Sequence, residues 1–184
     1  MKGKKCCLLI GNSRWHWAIE KADDAWHYFH TTPSVQKLSS LEIPLVAWAA
    51  VGAIPKHASL NPSKRLQSKD VPIKKMPDWI GIDRALANWG ALKKAKSTGI
   101  NSFGLLIADA GTVLSVNRLT SNREFAGGQL IPGLQLQLTA MATGAQNLNH
   151  PGPSSSTPAQ FPFETAEAMR RGSIQALVGT LTDA

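Results

Sequence analysis

Residues 107–116, with the sequence I-A-D-A-G-T-V-L-S-V, combine residue types that together can bind phosphate. Gly111 lets the backbone approach an anion closely, and Thr112 adds a hydroxyl and an amide donor. Asp109 can hold a cation that offsets the phosphate charge. The flanking apolar residues predict two strands joined by a tight turn. Because Asp-Ala-Gly also ends ordinary hairpins, the stretch predicts a hairpin and leaves both phosphate binding and a purely structural turn open.

A second stretch places a carboxylate and an arginine at the start of a helix. Gly81, Ile82, Asp83 and Arg84 precede A-L-A-N-W-G-A-L-K-K-A-K, in which apolar residues recur at helical spacing. A carboxylate in this position suits a general base that orients an alcohol for attack on a γ-phosphate. Asp83 is equally typical of an N-cap, with Arg84 as its surface partner.

The third candidate is the glycine-rich segment 127–133, G-G-Q-L-I-P-G, which precedes an apolar helix through Leu134, Leu138 and Met141. We predict a short strand at 124–126 and a loop after it. Glycines beside a helix that begins near a proline offer backbone donors and a positive helix end, which suit anions. The alternative is a loop that simply needs positive φ.

Patterns of apolar and turn residues predict the elements that position these candidates. Strands at 6–11, 15–20 and 26–31 form an antiparallel meander with a tight turn at 12–14, and a short helix follows at 34–41. The apolar run 44–52 is typical of a strand buried on both faces, and 54–72 of surface loops with a short helix. Later strands are expected at 103–109 and 113–119, a linker or lid at 149–163 and a last helix from Glu164.

An internal similarity links the two ends of the chain. When Gly11 is laid on Gly111, L-L-I-G-N-S and A-D-A-G-T-V align as strand, glycine, small polar residue and second strand. Two such halves predict a duplicated domain with one phosphate hairpin in each, as in a two-domain ATP clamp. The repeat is short, so chance similarity is the alternative.

Composition narrows the class of protein. With 184 residues, 43% hydrophobic and 17% charged, the chain is expected to be globular. Cys6 and Cys7 are adjacent and poorly placed to bridge each other, which is compatible with a reducing compartment. No segment approaches the roughly 20 apolar residues of a membrane helix, and the histidines and cysteines lack metal-ligand spacing. The net charge of +8 is dispersed and no RNA-binding or helix-turn-helix motif accompanies it, which favours a solvated basic surface over a nucleic-acid footprint.

Five motifs, in this order, resemble type III pantothenate kinase: I-G-N-S at 10–13, G-I-D-R at 81–84, D-A-G-T at 109–112, G-G-Q-L-I-P-G at 127–133 and T-A-E-A at 165–168. The resemblance implies an α/β fold of duplicated ribonuclease H-like (actin/Hsp70/sugar-kinase) domains with mixed sheets. It implies an N-terminal ATPase-like half at 1–100 and a second half at 101–184 that is incomplete in this chain. It also implies a cytoplasmic homodimer that uses ATP to convert pantothenate to 4'-phosphopantothenate, the first step of coenzyme A biosynthesis.

The resemblance further implies roles for single residues. Asp83 corresponds to the catalytic base and Asp109 to a ligand of a monovalent cation, K⁺ or NH₄⁺, while Mg²⁺ accompanies ATP. The implied pantothenate contacts are Gly81, Ile82, Asp83, Arg84 and Thr165. The implied ATP contacts are Leu9, Ile10, Gly11, Asn12, Ser13, Arg14, Trp15, His16 and Thr112.

The chain also departs from the family pattern. Leu9 stands where the family has an aspartate two residues before the first glycine, so a carboxylate that would position magnesium is missing. The tyrosine that the family has shortly before G-I-D-R is absent, since the only tyrosine of the chain is Tyr28, and Asn117 stands where the family often has an aspartate. These departures and the positive charge leave two alternatives open: a non-catalytic nucleotide-binding or DNA-binding regulator of the same fold, or a remnant that folds poorly.

Overall fold

The computed structural model describes residues 4–21, 25–100 and 104–184. The chain divides into two compact units, Met1–Lys94 and Ala95–Ala184. Each unit combines one β-sheet with helices, so the fold is of the mixed α/β class. Among the described residues, no helix is both long and apolar enough to cross a membrane.

The first unit is built on a four-stranded sheet. Its strands are β1 (Cys6–Ile10), β2 (Trp15–Glu20), β3 (Trp26–Thr31) and β4 (Leu45–Ala50), in the order β3-β2-β1-β4. The first three strands form the predicted antiparallel meander, and β4 pairs with β1 in parallel. The helix α1 (Val35–Ser39) precedes β4, and two short 3₁₀ turns lie at Pro62–Lys64 and Ser68–Asp70. The helix α2 (Ile82–Ser97) follows them.

The core of the first unit forms on one face of this sheet, because successive side chains of a strand point to opposite faces. Cys6, Leu8 and Ile10 of β1 are buried together with alternate residues of β2, and Leu38 of α1 joins the same cluster. Trp48 of β4 is also part of it. The expectation that β4 is buried on both faces is wrong, since β4 lies at the sheet edge and its Val46 is 41% exposed.

The second unit begins with a three-stranded antiparallel sheet in the order β5-β6-β7. The strands are β5 (Leu105–Ala110), β6 (Val113–Leu119) and β7 (Phe125–Pro132), and they are followed by α3 (Leu134–Gly144) and α4 (Thr165–Asp183). The predicted first residue of β5, Phe103, lies outside the described residues. The helix α3 packs against both β7 and α4.

The strand β7 is longer than expected, and most of the predicted loop at 127–133 belongs to it. Gly128 pairs with Asn117, and Ile131 pairs with Leu114. The hydrogen bonds of such a ladder come from backbone groups, so a strand partner can hold glycines that have little intrinsic strand preference. The positive-φ interpretation is right at one position, because Gly127 has φ +109°.

Candidate active site

The first predicted phosphate turn joins β1 to β2. Ile10 pairs with Trp15, and the N–H of Gly11 donates to the carbonyl of Arg14 at 3.0 Å. A Cβ on Gly11 would lie 2.6 Å from that carbonyl oxygen, and real Cβ atoms do not come so close to a non-bonded atom. The tight turn therefore requires glycine at position 11.

The end of β4 lies directly against this turn. The backbone N–H groups of Val51 and Gly52 both donate to the carbonyl of Ile10, at 2.9 and 3.2 Å. A Cβ on Gly52 would lie 2.5 Å from the carbonyl oxygen of Gly11, so glycine is needed here as well. Sequence reasoning missed Gly52, because a glycine after an apolar strand is a common feature without a specific signal.

The predicted ATP-contact segment 9–16 contains buried, half-buried and exposed residues, and the half-buried ones are Leu9 and Gly11. Ile10 and Trp15 are buried members of the core, which gives them a structural role. The exposed members, whose side chains remain accessible to a ligand, are Asn12, Ser13, Arg14 and His16. The turn can therefore present polar side chains to an anion.

Asp83 lies in the first turn of α2 and is half-buried. The N–H of Ala85 donates to the carbonyl of Gly81 at 3.0 Å, so Gly81 precedes the helix and the N-cap interpretation of Asp83 is wrong. The Oδ1 atom of Asp83 accepts a hydrogen bond from the backbone N–H of Arg84 at 2.8 Å. This bond fixes the orientation of the carboxylate.

An open pocket of about 760 Å³ adjoins the start of α2. Gly81 and Ile82, two of the predicted substrate contacts, line it together with Ala50 and Val51 at the end of β4. Its other lining residues come from the connecting segment and are mostly polar: Arg65, Leu66, Gln67, Ser68, Lys69 and Asp78. The volume is in the range of small-molecule sites, and two cations on its wall suit an anionic ligand.

The connecting segment is held in place by side-chain hydrogen bonds. Ser68 donates from Oγ to the carbonyl of Ile80 at 2.7 Å, and Asp70 accepts from the N–H of Gln67 at 2.8 Å. Sequence reasoning assigned this segment to surface loops. Its position beside Gly81 depends on contacts between residues distant in sequence, which no local pattern reveals.

The second predicted phosphate turn joins β5 to β6 and has similar geometry. Ala110 pairs with Leu114, and the N–H of Gly111 donates to the carbonyl of Val113 at 3.2 Å. Gly133, the residue before α3, donates its N–H to the carbonyl of Thr112 at 2.9 Å. The D-A-G-T turn therefore contacts the end of the G-G-Q-L-I-P-G segment.

Asp109 is exposed near the end of β5 and pairs directly with Ser115 of β6. Ser115 accepts a hydrogen bond from the Nδ2 atom of Asn117 at 3.3 Å, and both of these residues are buried. Directly paired residues share a sheet face, so a carboxylate and a hydroxyl lie side by side. Oxygen donors of this kind fit a hard monovalent cation.

The first turn does not fit a magnesium site. Leu9 is flanked by His16 on β2 and Ala49 on β4, and residues 9–16 contain no aspartate or glutamate. Mg²⁺ in nucleotide sites is usually held through one or two carboxylates. Within the described part of the chain, no group of three or more histidine, cysteine, aspartate or glutamate side chains could hold a metal ion.

Thr165 is the exposed first residue of α4, in the second unit. Its contact with pantothenate stays a prediction.

Comparison with known proteins identifies relatives along most of the chain. A sequence model of the type III pantothenate kinase family matches residues 53–184. The type III pantothenate kinase of Thermosynechococcus vestitus is 36% identical over 138 residues, which cover 73% of this chain and 52% of that protein. The enzyme of Synechococcus elongatus is 30% identical over 193 residues, which cover 95% of this chain and 74% of that protein.

A solved structure has a fold similar to the mixed α/β fold of this chain. The crystal structure of a Baf family protein from Campylobacter jejuni superposes with a TM-score of 0.58 at 18% identity, over 97% of this chain and 78% of that one. The chain thus spans about half to three quarters of the length of these relatives. By its sequence, the chain belongs to the type III pantothenate kinase family.

Proposed function

We propose that this chain is a cytoplasmic enzyme that uses ATP to phosphorylate pantothenate to 4'-phosphopantothenate, the first step of coenzyme A biosynthesis. The observation that carries the proposal is family membership together with the placement of Gly81 and Ile82, the first two residues of G-I-D-R, on the wall of a pocket of about 760 Å³. Pantothenate is an anionic alcohol, and the pocket wall carries two cations, Arg65 and Lys69, and one carboxylate, Asp78, so its formal charge is positive.

A duplicated ribonuclease H-like fold of the actin/Hsp70/sugar-kinase type is part of this proposal. Two observations support it: β1-β2-β3 and β5-β6-β7 are both antiparallel meanders, and each first turn begins with a glycine whose N–H is bonded across that turn. We place the boundary between the halves near residue 100, close to the division between the compact units.

Asp83 is the proposed general base. Its Oδ1 is held by the N–H of Arg84, so the carboxylate is oriented before substrate binds. The proton of the pantothenate hydroxyl moves to Asp83 as the oxygen attacks the γ-phosphorus of ATP in line with the leaving ADP. Gly81, Ile82, Arg84 and Thr165 are the proposed substrate contacts.

The two glycine turns are the proposed nucleotide contacts. Segment 9–16 and Thr112 offer polar side chains to the phosphates. Asp109, with Ser115 beside it, would hold K⁺ or NH₄⁺, which would offset phosphate charge. We assign no step to Mg²⁺ because the first turn offers it no carboxylate. A homodimer, as the family resemblance implies, completes the proposal, and light scattering of the purified chain tests it.

Measurement of ADP release by the 184-residue chain, with ATP, pantothenate and potassium, tests the activity. Turnover should require pantothenate and fall by a factor of about 10² to 10⁴ in Asp83→Asn. The matched control is Asp183→Asn, which makes the same chemical change at the end of α4 and should leave turnover unchanged. Absence of pantothenate-dependent turnover, or equal turnover in Asp83→Asn, would overturn the proposal.

A second candidate function is regulatory. Under this alternative the chain is itself a non-catalytic relative of the kinases that binds nucleotide or DNA. The absence of a carboxylate from segment 9–16 and the net charge of +8 favour it. Under this alternative, ATP binds without phosphoryl transfer, or DNA binds with an affinity that falls steeply with salt. Ordinary rates of pantothenate phosphorylation would exclude it.

A further inference from the structure

Two exposed histidines face each other beside the first glycine turn. His16 on β2 pairs directly with His30 on β3, and their ring centroids are 6.4 Å apart with the ring planes at 49°. Directly paired residues of antiparallel strands extend from the same sheet face. The two imidazoles can therefore approach one common point in front of the sheet.

We propose that His16 and His30 together bind a divalent transition-metal ion of the Zn²⁺ class. A tetrahedral ion bonded to one nitrogen of each ring at about 2.1 Å would bring the ring centroids to roughly 5.3 Å from each other. The observed separation of 6.4 Å differs from that value by an amount that small side-chain rotations can close. Both side chains are exposed, so neighbouring atoms do not oppose the rotation.

The surroundings of the pair select the kind of metal. Leu9 is the next residue in the same cross-strand row and offers no ligand. With two imidazole nitrogens as the protein donors, Zn²⁺, Ni²⁺ and Cu²⁺ are favoured over Mg²⁺, which prefers oxygen. The remaining coordination positions are open to water or to the oxygens of an anion.

The position of the pair links it to the first turn. A Cβ on Gly11 would lie 3.8 Å from the Cδ2 atom of His16, so this imidazole leans over the turn glycine. An ion held by the pair would add positive charge at the rim of the turn. His27 does not contribute, because it lies three residues before His30 on β3 and so extends from the opposite sheet face, where it stacks against Phe29 with centroids 5.4 Å apart.

Calorimetric titration of the 184-residue chain with ZnCl₂ and, separately, NiCl₂ tests the site without nucleotide or substrate. The expected result is one ion per chain, with the affinity at least about tenfold weaker in His16→Gln and in His30→Gln. The matched control is His27→Gln, an exposed histidine of the same strand, which should bind as the parent chain does. Circular dichroism checks that each variant is folded.

Two further measurements locate the ion. Cys7 lies on the same sheet face two residues before Leu9, so Cys7→Ser is titrated as well. Anomalous diffraction from a zinc-soaked crystal should show a peak between His16 and His30. Equal weakening in His27→Gln or Cys7→Ser, undiminished binding in both pair variants, or a peak elsewhere would overturn the proposal.

Discussion

Gly133 donates its backbone N–H to the carbonyl of Thr112 at 2.9 Å. The bond joins the residue that precedes α3 to the turn between β5 and β6. The two backbones are so close that a Cβ on Gly133 would lie 2.7 Å from the Thr112 oxygen. The turn and the start of the helix are therefore positioned together, and a side chain at 133 would separate them.

We expect Gly133→Ala to lower the free energy of unfolding by about 1–3 kcal/mol, because the added methyl group forces these backbones apart. Gly90→Ala is the control. Gly90 lies inside α2 and its Cβ would meet nothing within 4 Å, so alanine should stabilise the chain by about 0.5–1 kcal/mol. Urea denaturation followed by circular dichroism measures both. A neutral Gly133→Ala would contradict the close approach.

Thr31→Val should destabilise the first unit. Trp17 is buried and donates from Nε1 to Oγ1 of Thr31 at 3.1 Å, while its ring stacks on Phe29. Valine preserves the shape and removes the acceptor, which leaves a buried N–H unsatisfied at a cost of about 1–3 kcal/mol. Thr32→Val, an exposed neighbour, should change stability by less than about 0.5 kcal/mol. Thermal melting compares the two, and equal effects would refute the assignment.

Stability should fall in alkaline solution because of Cys6. Burial raises the pKa of this thiol from 9.0 to about 11, and the neighbouring Cys7 adds to the shift. Between pH 9 and 11 the unfolded chain loses this proton while the folded chain retains it, so the unfolded state binds fewer protons and stability decreases as pH rises. The expected loss is up to about 2–3 kcal/mol.

The variant that isolates this effect is Cys6→Ala, which lacks the thiol. Its free energy of unfolding should decrease less steeply over the same pH range. Burial also raises the pKa of Cys7, but Cys7 is present in both chains, so the difference between their urea midpoints at pH 8 and pH 10.5 reports Cys6. Parallel pH dependences would show that the thiol does not contribute.

Arg84→Lys should weaken pantothenate binding more than catalysis. A guanidinium can bind a carboxylate through two parallel hydrogen bonds, whereas an ammonium cannot. If the substrate assignment is correct, the KM for pantothenate rises by about tenfold to a hundredfold while kcat changes less. Steady-state kinetics measures both parameters. Arg123→Lys, at the turn before β7, serves as control. Equal changes of KM in the two variants would show that Arg84 does not contact pantothenate.

The first meander could be predicted almost residue by residue, because its strands are short runs of apolar and aromatic residues and the turn-forming residues Gly11, Asn12 and Ser13 separate the first two. The extent of β7 could not be predicted. Its glycines have little strand preference, and pairing with β6 decides their conformation. The bounds of a strand can be predicted from local sequence only where the pattern of side chains determines them. Where backbone pairing with a neighbouring strand determines them, they cannot.

The candidate site shows the same division. Gly11, Asp83 and Gly111 were identifiable as candidates because each stands in a motif that resembles the family pattern, and their roles stay predictions. Arg65 and Lys69 of the pocket wall could not be identified from the sequence, since they approach Gly81 through contacts between distant segments. Gly52 was also missed, because its requirement for glycine arises from the carbonyl of Gly11 and not from its own strand.

The parallel pairing of β1 with β4 has a consequence for the order of folding. The strands of the first meander are adjacent in sequence, whereas β4 reaches β1 only after the intervening chain has closed into a loop. Loop closure costs entropy before the parallel contacts compensate for it, so the meander should form first and β4 should dock in a later, slower step. The turn at Gly11 would then form before Gly52 packs against it. Affinity for nucleotide should appear only when β4 has docked.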